Sequence, residues 1–214
     1  MPTYVIEHME EDNADASFPH WITLEYHSML KWANGSLVIF SSLSPNSVRS
    51  LSEQLLARGA KPEEFLASTK SVQELMKEKN VALEKVCLLD PRAPKEIGPD
   101  DGAEYDWFLF GGILGDDPPR DRTGILRAHG YPGRHLGPIQ MTTDTALGVT
   151  KLCVEDGKTL SSIKMVDHPT IKFNAHESVD MPFIYVADDQ GEPILPPGMR
   201  EHLHADMDRE FDDF

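Results

Sequence analysis

Cysteine is nearly absent. The 214-residue chain has two, Cys87 and Cys153, both inside apolar segments. With no Cys-x-x-Cys pair, a zinc ribbon or a dithiol redox motif is excluded, and two buried free thiols in a reducing compartment are expected. Neither cysteine has the neighbouring groups that would mark it as a nucleophile. No apolar run is long enough to span a bilayer. The start, Met1-Pro2-Thr3-Tyr4-Val5-Ile6-Glu7-His8, lacks the basic region and apolar core of a signal peptide, so a cytoplasmic location is expected. Basic residues are also scarce: 20 Lys and Arg stand against 36 Asp and Glu, a formal net charge of -16. That balance argues against nucleic acid, whose affinity comes largely from Lys and Arg on phosphates, and against an anionic membrane surface. It suits a basic protein partner, and it equally suits plain solubility.

The common nucleotide and metal motifs are missing too. Gly111-Gly112-Ile113-Leu114-Gly115 is not followed by Lys-Ser/Thr, so it is not a P-loop, and no GxGxxG occurs. His8-Met9-Glu10 has the HxE of zinc deaminases without its PCxxC partner. His202-Leu203-His204 could hold a metal, but it fits a solvated tail better. No ligand set has credible spacing, and no metal is expected.

What is present is strand–helix alternation. Tyr4-Val5-Ile6 reads as a first strand. Trp21, Leu24, Met29 and Trp32 share one face of a helix that Gly35 stops. Leu37-Val38-Ile39-Phe40 is a continuous apolar run, as in a parallel strand covered on both faces. Asn46 is expected to cap a helix running to Arg58, with Leu51, Leu55 and Leu56 inward and Gly59 at its end. A short helix over residues 71–79 and a third strand over 85–89 follow. Trp107 to Phe110 form the central strand. A short helix is expected over 120–129, and a strand and loop over 134–141. Thr142 and Thr143 open a helix to about Val154, where a threonine could cap free N–H groups and Asp144 suits the positive end. Beyond Lys164, short strand-like pieces are broken by His168-Pro169 and Met181-Pro182. The last residues start a helix at Met199 and then fray as an acidic tail. This pattern predicts an α/β fold, a parallel sheet with flanking helices and right-handed crossovers.

Three strand ends carry the unusual chemistry: Asp90-Pro91-Arg92, the stretch Gly111-Gly112-Ile113-Leu114-Gly115-Asp116, and residues 136–143. In a parallel sheet they fall on one edge and can build one site. Backbone amides, small residues and carboxylates make a poor site for polyphosphate and a good one for a neutral or cationic ligand. Glu7, Glu10 and Asp116 could pair with a guanidinium, although Glu10 and Glu11 also read as a solvated loop.

These residues resemble a known family. Glu7-His8-Met9-Glu10-Glu11, Leu88-Leu89-Asp90-Pro91-Arg92-Ala93, residues 110–123 and Leu136-Gly137-Pro138-Ile139-Gln140-Met141-Thr142-Thr143-Asp144-Thr145-Ala146 look like the SPOUT-superfamily protein arginine methyltransferases of fungi. Met181-Pro182-Phe183 and Pro193-Ile194-Leu195-Pro196 match as well, whereas residues 13–19 and the acidic tail match less. The resemblance implies a C-terminal deep trefoil knot, an exception to the rule that chains are unknotted. It implies S-adenosyl-L-methionine held by three loops, which carry over to Leu89, Asp90 and Pro91; Gly111, Gly112, Ile113, Leu114 and Gly115; and Leu136, Gly137, Gln140, Met141, Thr142 and Thr143. It also implies methylation of an arginine in a small-subunit ribosomal protein by a monomer. Glu7, Glu10 and Asp116 are then the candidates to orient the guanidinium and take its proton. Arg120 and Arg122 would position the cofactor carboxylate or brace the loop. On this reading residues 1–160 form the methyltransferase domain, 161–200 an extension of short strands, and 201–214 an acidic tail. An RNA methyltransferase on the same fold and a non-catalytic ribosome-assembly module are the competing readings.

Overall fold

Tyr4, Val5 and Ile6 form the middle of β1 (Thr3–Glu7), which lies inside a six-stranded sheet with its neighbours on both sides parallel to it. The computed structural model describes residues 1–8, 18–112 and 123–212. After β1 comes α1 (His20–Ala33), which ends as Asn34 turns left-handed at φ 44° and Gly35 follows at φ 101°. A side chain is disfavoured at that second position, which is why the helix stops there. β2 (Leu37–Ser41) leads into α2 (Pro45–Ala57). Its cap is Ser44, not the expected Asn46: the Ser44 hydroxyl accepts from the Ser47 N–H at 3.0 Å, and Pro45 takes the first helical position. Proline needs no N–H there, so Asn46 is moved into the first turn.

β3 (Phe65–Ala67) has no counterpart in the sequence reading, because three residues on a sheet edge are too few to show a period. α3 (Val72–Lys79) starts with a capping box in which Ser71 and Glu74 satisfy each other's backbone N–H groups. Lys85 belongs to a 3-10 turn before β4 (Val86–Leu89). α4 (Asp101–Glu104), β5 (Trp107–Gly111), α5 (Thr123–Arg127) and β6 (Gly133–Arg134) complete the sheet layer. The helix expected over 120–129 is thus five residues long within its described part.

The strand order is β3-β2-β1-β5-β4-β6, and every pairing is parallel. Alternate residues of each strand feed two cores. Tyr4, Ile6, Phe40 and Phe108 pack under α1, α2 and α6 (Thr143–Val154), whereas Val5, Ile39, Leu88 and Leu109 pack under α3 and α5. Burial on both faces explains the unbroken apolar runs. α1 and α6 approach closely at Gly148, where a Cβ would meet the Trp32 ring at 2.6 Å.

The remainder builds two small antiparallel pairs. β7 (Met165–Asp167) joins β10 (Ile184–Val186), and β8 (Thr170–Lys172) joins β9 (Ser178–Asp180). The stretch expected to fray instead continues α7 (Met199–Asp212). Met199 is buried, and His202 meets His20 of α1 edge-on at 5.5 Å. Packing on α1 supplies the stability that its acidic composition does not.

Candidate functional site

The three strand ends meet. A cleft of about 340 Å³ is walled by Leu89, Asp90, Pro91 and Arg92 after β4, by Phe110 and Gly111 at the end of β5, by Leu136, Gly137, Pro138, Ile139, Gln140 and Met141, by Thr143 and Ala146 of α6, and by Thr123 and Arg127 of α5. It lies outside the carboxyl ends of the central strands, where parallel sheets present their turns.

Local hydrogen bonds fix each wall. The Asp90 N–H donates to the Arg134 carbonyl at 2.9 Å, tying the β4 end to β6. The Gly112 N–H donates to the Glu7 carbonyl at 2.9 Å, and the Gly112 carbonyl accepts from the Thr143 hydroxyl at 2.8 Å. Gly112 itself sits at φ 39°, in the left-handed region. The first turn of α6 is thereby tied to the end of β5. The Gly137 N–H donates to His135 Nδ1 at 3.1 Å, and Gly137 has φ 94°.

Polar chemistry in the cleft is concentrated at two places. Arg127 grips the buried Asp90 carboxylate through Nε at 2.5 Å and Nη2 at 2.7 Å, and the Arg92 N–H donates to the same carboxylate at 2.9 Å. Gln140 offers a buried Nε2 with no partner among the described residues. The rest of the lining is largely apolar. A cavity of this size, with apolar walls, exposed backbone and a few placed donors, suits a small organic ligand with one polar end.

Of the residues nominated for a cofactor, Leu89, Asp90, Pro91, Gly111, Leu136, Gly137, Gln140, Met141 and Thr143 line the cleft. Gly112 and Thr142 adjoin it, and Ile113, Leu114 and Gly115 lie outside the described residues. The Thr142 side chain makes no cap bond, contrary to expectation: its hydroxyl donates to Asp144 at 2.7 Å and lies 2.8 Å from the Thr145 hydroxyl. Asp144 lies in the first turn of α6, as expected, and is buried there.

Glu7 is not where the sequence reading put it. Its carboxylate is buried and accepts from the Ser41 hydroxyl at 2.5 Å, the Ser42 hydroxyl at 2.6 Å and the Val72 N–H at the start of α3 at 2.9 Å. Residues 5 and 7 of β1 point to the α3 face, so Glu7 braces β1, β2 and α3 and does not line the cleft. Glu10, Asp116, Arg120 and Arg122 lie outside the described residues. His8 is packed on Phe18 at 5.5 Å, and its Nδ1 lies 2.8 Å from the Tyr26 hydroxyl.

Sequence reasoning missed Arg127, and nothing in its local sequence gives it away. Its place comes from the packing of α5 on β5, which brings Arg127 to the turn after β4. Among the described residues no group of three or more His, Cys, Asp or Glu could hold a metal. No helix among them is long and apolar enough to cross a membrane. Burial pushes the Cys87 thiol up to about 12 and the Cys153 thiol up to about 11, so neither is a thiolate at neutral pH.

Comparison with known proteins places this cleft in context. The family model described as "Protein arginine N-methyltransferase SFM1-like" matches residues 3–210. The protein arginine N-methyltransferase SFM1 of Saccharomyces cerevisiae is 40% identical over 216 residues, covering 98% of each chain. The crystal structure of the yeast arginine methyltransferase SFM1 complexed with SAM superposes with a TM-score of 0.83 at 38% identity, over 96% of this chain and 91% of that one. The dual specific Trm10 of Thermococcus kodakaraensis shares the fold at a TM-score of 0.50 and 16% identity, over 75% of this chain and 95% of the other. The chain belongs to the SFM1-like family of protein arginine N-methyltransferases.

Proposed function

We propose that this protein transfers the methyl group of S-adenosylmethionine to an arginine of a basic protein. The observation that carries the reading is the cleft itself, built by residues 89–92, 110–111 and 136–143 in a chain of this family. The residues present fit the cofactor. Leu89, Phe110, Leu136 and Met141 offer apolar surface, the Gly112 and Gly137 turns let a ligand approach the main chain, and the Gln140 Nε2, unpartnered among the described residues, is a donor for a ligand acceptor. Arg127 and Asp90 supply opposite charges for the polar end. When bound, the cofactor supplies an electrophilic methyl group on a sulfonium, chemistry that needs no metal.

The chain must then capture a guanidinium, which is protonated at neutral pH, and hold one nitrogen in line with the methyl group. Carboxylates are the groups for that task. Glu7 is engaged by three donors and serves as a brace, so the capture falls to Glu10 and Asp116, which follow in sequence the paired ends of β1 and β5. A carboxylate there also takes up the proton released on transfer.

We extend the proposal to a small-subunit ribosomal protein as the substrate, to a monomer as the working unit, to the cytoplasm as its place and to a deep trefoil knot in the C-terminal part of the fold. The net charge of -16 supports a strongly basic partner over RNA. The knot is supported by the return of residues 136–143 from edge strand β6 to the ends of β4 and β5, ahead of a buried α6. The test is incubation with radiolabelled S-adenosylmethionine and ribosomal subunits, followed by separation of protein from RNA. Label in protein arginine supports the reading, and label in RNA overturns it.

A further inference from the structure

Behind the cleft, the α1–α6 interface buries two carboxyl groups that have no basic partner among the described residues. Glu25 of α1 is 5% exposed and Asp144 of α6 is 1% exposed. One oxygen of each, Glu25 Oε2 and Asp144 Oδ2, has no hydrogen-bond partner among the described residues, and neither has the hydroxyl of the equally buried Tyr185 on β10. The Asp144 charge reaches Glu25, and both carboxyls reach Tyr185. Two buried charges so close would each suffer desolvation and mutual repulsion. One proton removes the repulsion and one of the two buried charges, and turns a bare acceptor into a donor.

We propose that Glu25 and Asp144 share a single proton across the α1–α6 interface, and that this proton positions the first turn of α6 as a wall of the cleft. The assignment within the pair follows from the surroundings. Asp144 accepts from the Thr142 hydroxyl at 2.7 Å, and the Ser28 hydroxyl and the Thr145 N–H beside it also favour the charged form, so it carries the charge. Glu25 has no such donors among the described residues, and burial followed by the Asp144 charge raises its pKa well above the ordinary carboxylate range, so it carries the proton. Asp144 itself is raised by burial, a shift that its hydrogen bonds oppose. The groups facing the pair are Ser28 from α1, Thr142 and Thr145 around the start of α6, and Tyr185 from β10, whose hydroxyl is itself held neutral by burial and then by the two carboxyls. Thr143 and Ala146, on the same turn as Asp144, line the cleft. Ionising Glu25 would place two negative charges in that interface and loosen the turn.

The sign follows. An acid whose folded pKa is raised stabilises the fold fully below its ordinary pKa, and that stability is lost as pH rises through the raised one. Two readouts test this on the full chain. In an NMR titration of side-chain carboxyl carbons, one carboxyl of the pair should titrate well above the ordinary range, and it should vanish in Glu25→Gln. Calorimetry with S-adenosylhomocysteine, which rests on the proposed function, should show affinity falling about tenfold per pH unit once the pair ionises. Glu25→Gln, which keeps a permanent donor, should bind with near-constant affinity over that span. Asp144→Asn serves as a second variant and should also lose the alkaline decline. Two carboxyls titrating in the ordinary range, or an unchanged alkaline decline in both variants, would overturn the proposal. If S-adenosylhomocysteine binds at no pH, the functional reading fails, and the carboxyl titration still decides the pair.

Discussion

Arg127 and Asp90 are joined at two points, Nε to Oδ2 at 2.5 Å and Nη2 to Oδ1 at 2.7 Å, although they stand 37 positions apart in sequence. The bond links α5, at one side of the cleft, to the turn after β4 at the other. A two-point grip of this kind fixes orientation as well as charge.

Breaking it should therefore act on the cleft more than on the fold. Arg127 is 32% exposed and Asp90 is 5% exposed, so the arginine retains part of its hydration when freed and the aspartate does not. Arg127→Lys keeps the charge and loses the fork. The expected cost is about 1–3 kcal/mol of stability, read by chemical denaturation, with a larger proportional loss of S-adenosylmethionine affinity, read by calorimetry. Unchanged affinity in Arg127→Lys would remove the fork from the binding site.

Glu7→Gln tests the brace. The carboxylate accepts from two hydroxyls and one backbone N–H, and an amide must turn an N–H₂ group towards one of these donors. A loss of about 1–3 kcal/mol in stability is expected, with kcat per folded molecule largely retained. A stable variant whose kcat alone collapses would return Glu7 to the chemistry.

At Gly112, with φ 39°, a β-branched side chain is strained whatever the space around it. Gly112→Val should abolish cofactor binding while far-ultraviolet circular dichroism remains native. Normal cofactor affinity in this variant would place the ligand elsewhere.

Gly102 makes a purely structural prediction. A Cβ there would lie 2.2 Å from the Val154 carbonyl oxygen, at the contact of α4 with the end of α6. Backbone cannot yield as a flexible side chain does, so Gly102→Ala should destabilise by at least about 1–3 kcal/mol. A melting temperature equal to that of the parent would contradict the close approach.

The acceptor chemistry is tested with a peptide carrying the target arginine beside the same peptide with lysine. Methylation of the arginine peptide alone is expected, weakened by salt through screening of the net negative charge and indifferent to chelators. Methylation of the lysine peptide, or activity that chelation removes and a divalent metal restores, would exclude the carboxylate capture.

The sequence was most informative where one local rule dominates. The apolar runs at 37–40, 86–89 and 107–110 announced parallel strands because both faces of such strands are buried. It was least informative at β3, where three edge residues show no period, and at α7, where an acidic helix survives by packing Met199 and His202 on the body of the protein. For the site, the strand-end segments around Asp90, Gly111 and Gly137 were legible because glycine turns and a carboxylate after buried strands have few structural explanations. Arg127 was not, since an arginine on a short helix looks like any solvated one.

Strand–helix alternation, the parallel sheet and the family could all be read before any fold was known, because apolar period, turn residues and long motifs are local properties of the chain. Which side chains face one another was settled only on folding. The β1–β5 register set Glu7 beside Gly111 while turning its carboxylate to the α3 face, where Ser41, Ser42 and α3 hold it. The packing of α1 on α6 brought Glu25 to Asp144 from distant parts of the chain. Such pairings depend on strand order and helix contact, which are sums over the whole chain and leave no mark at either residue.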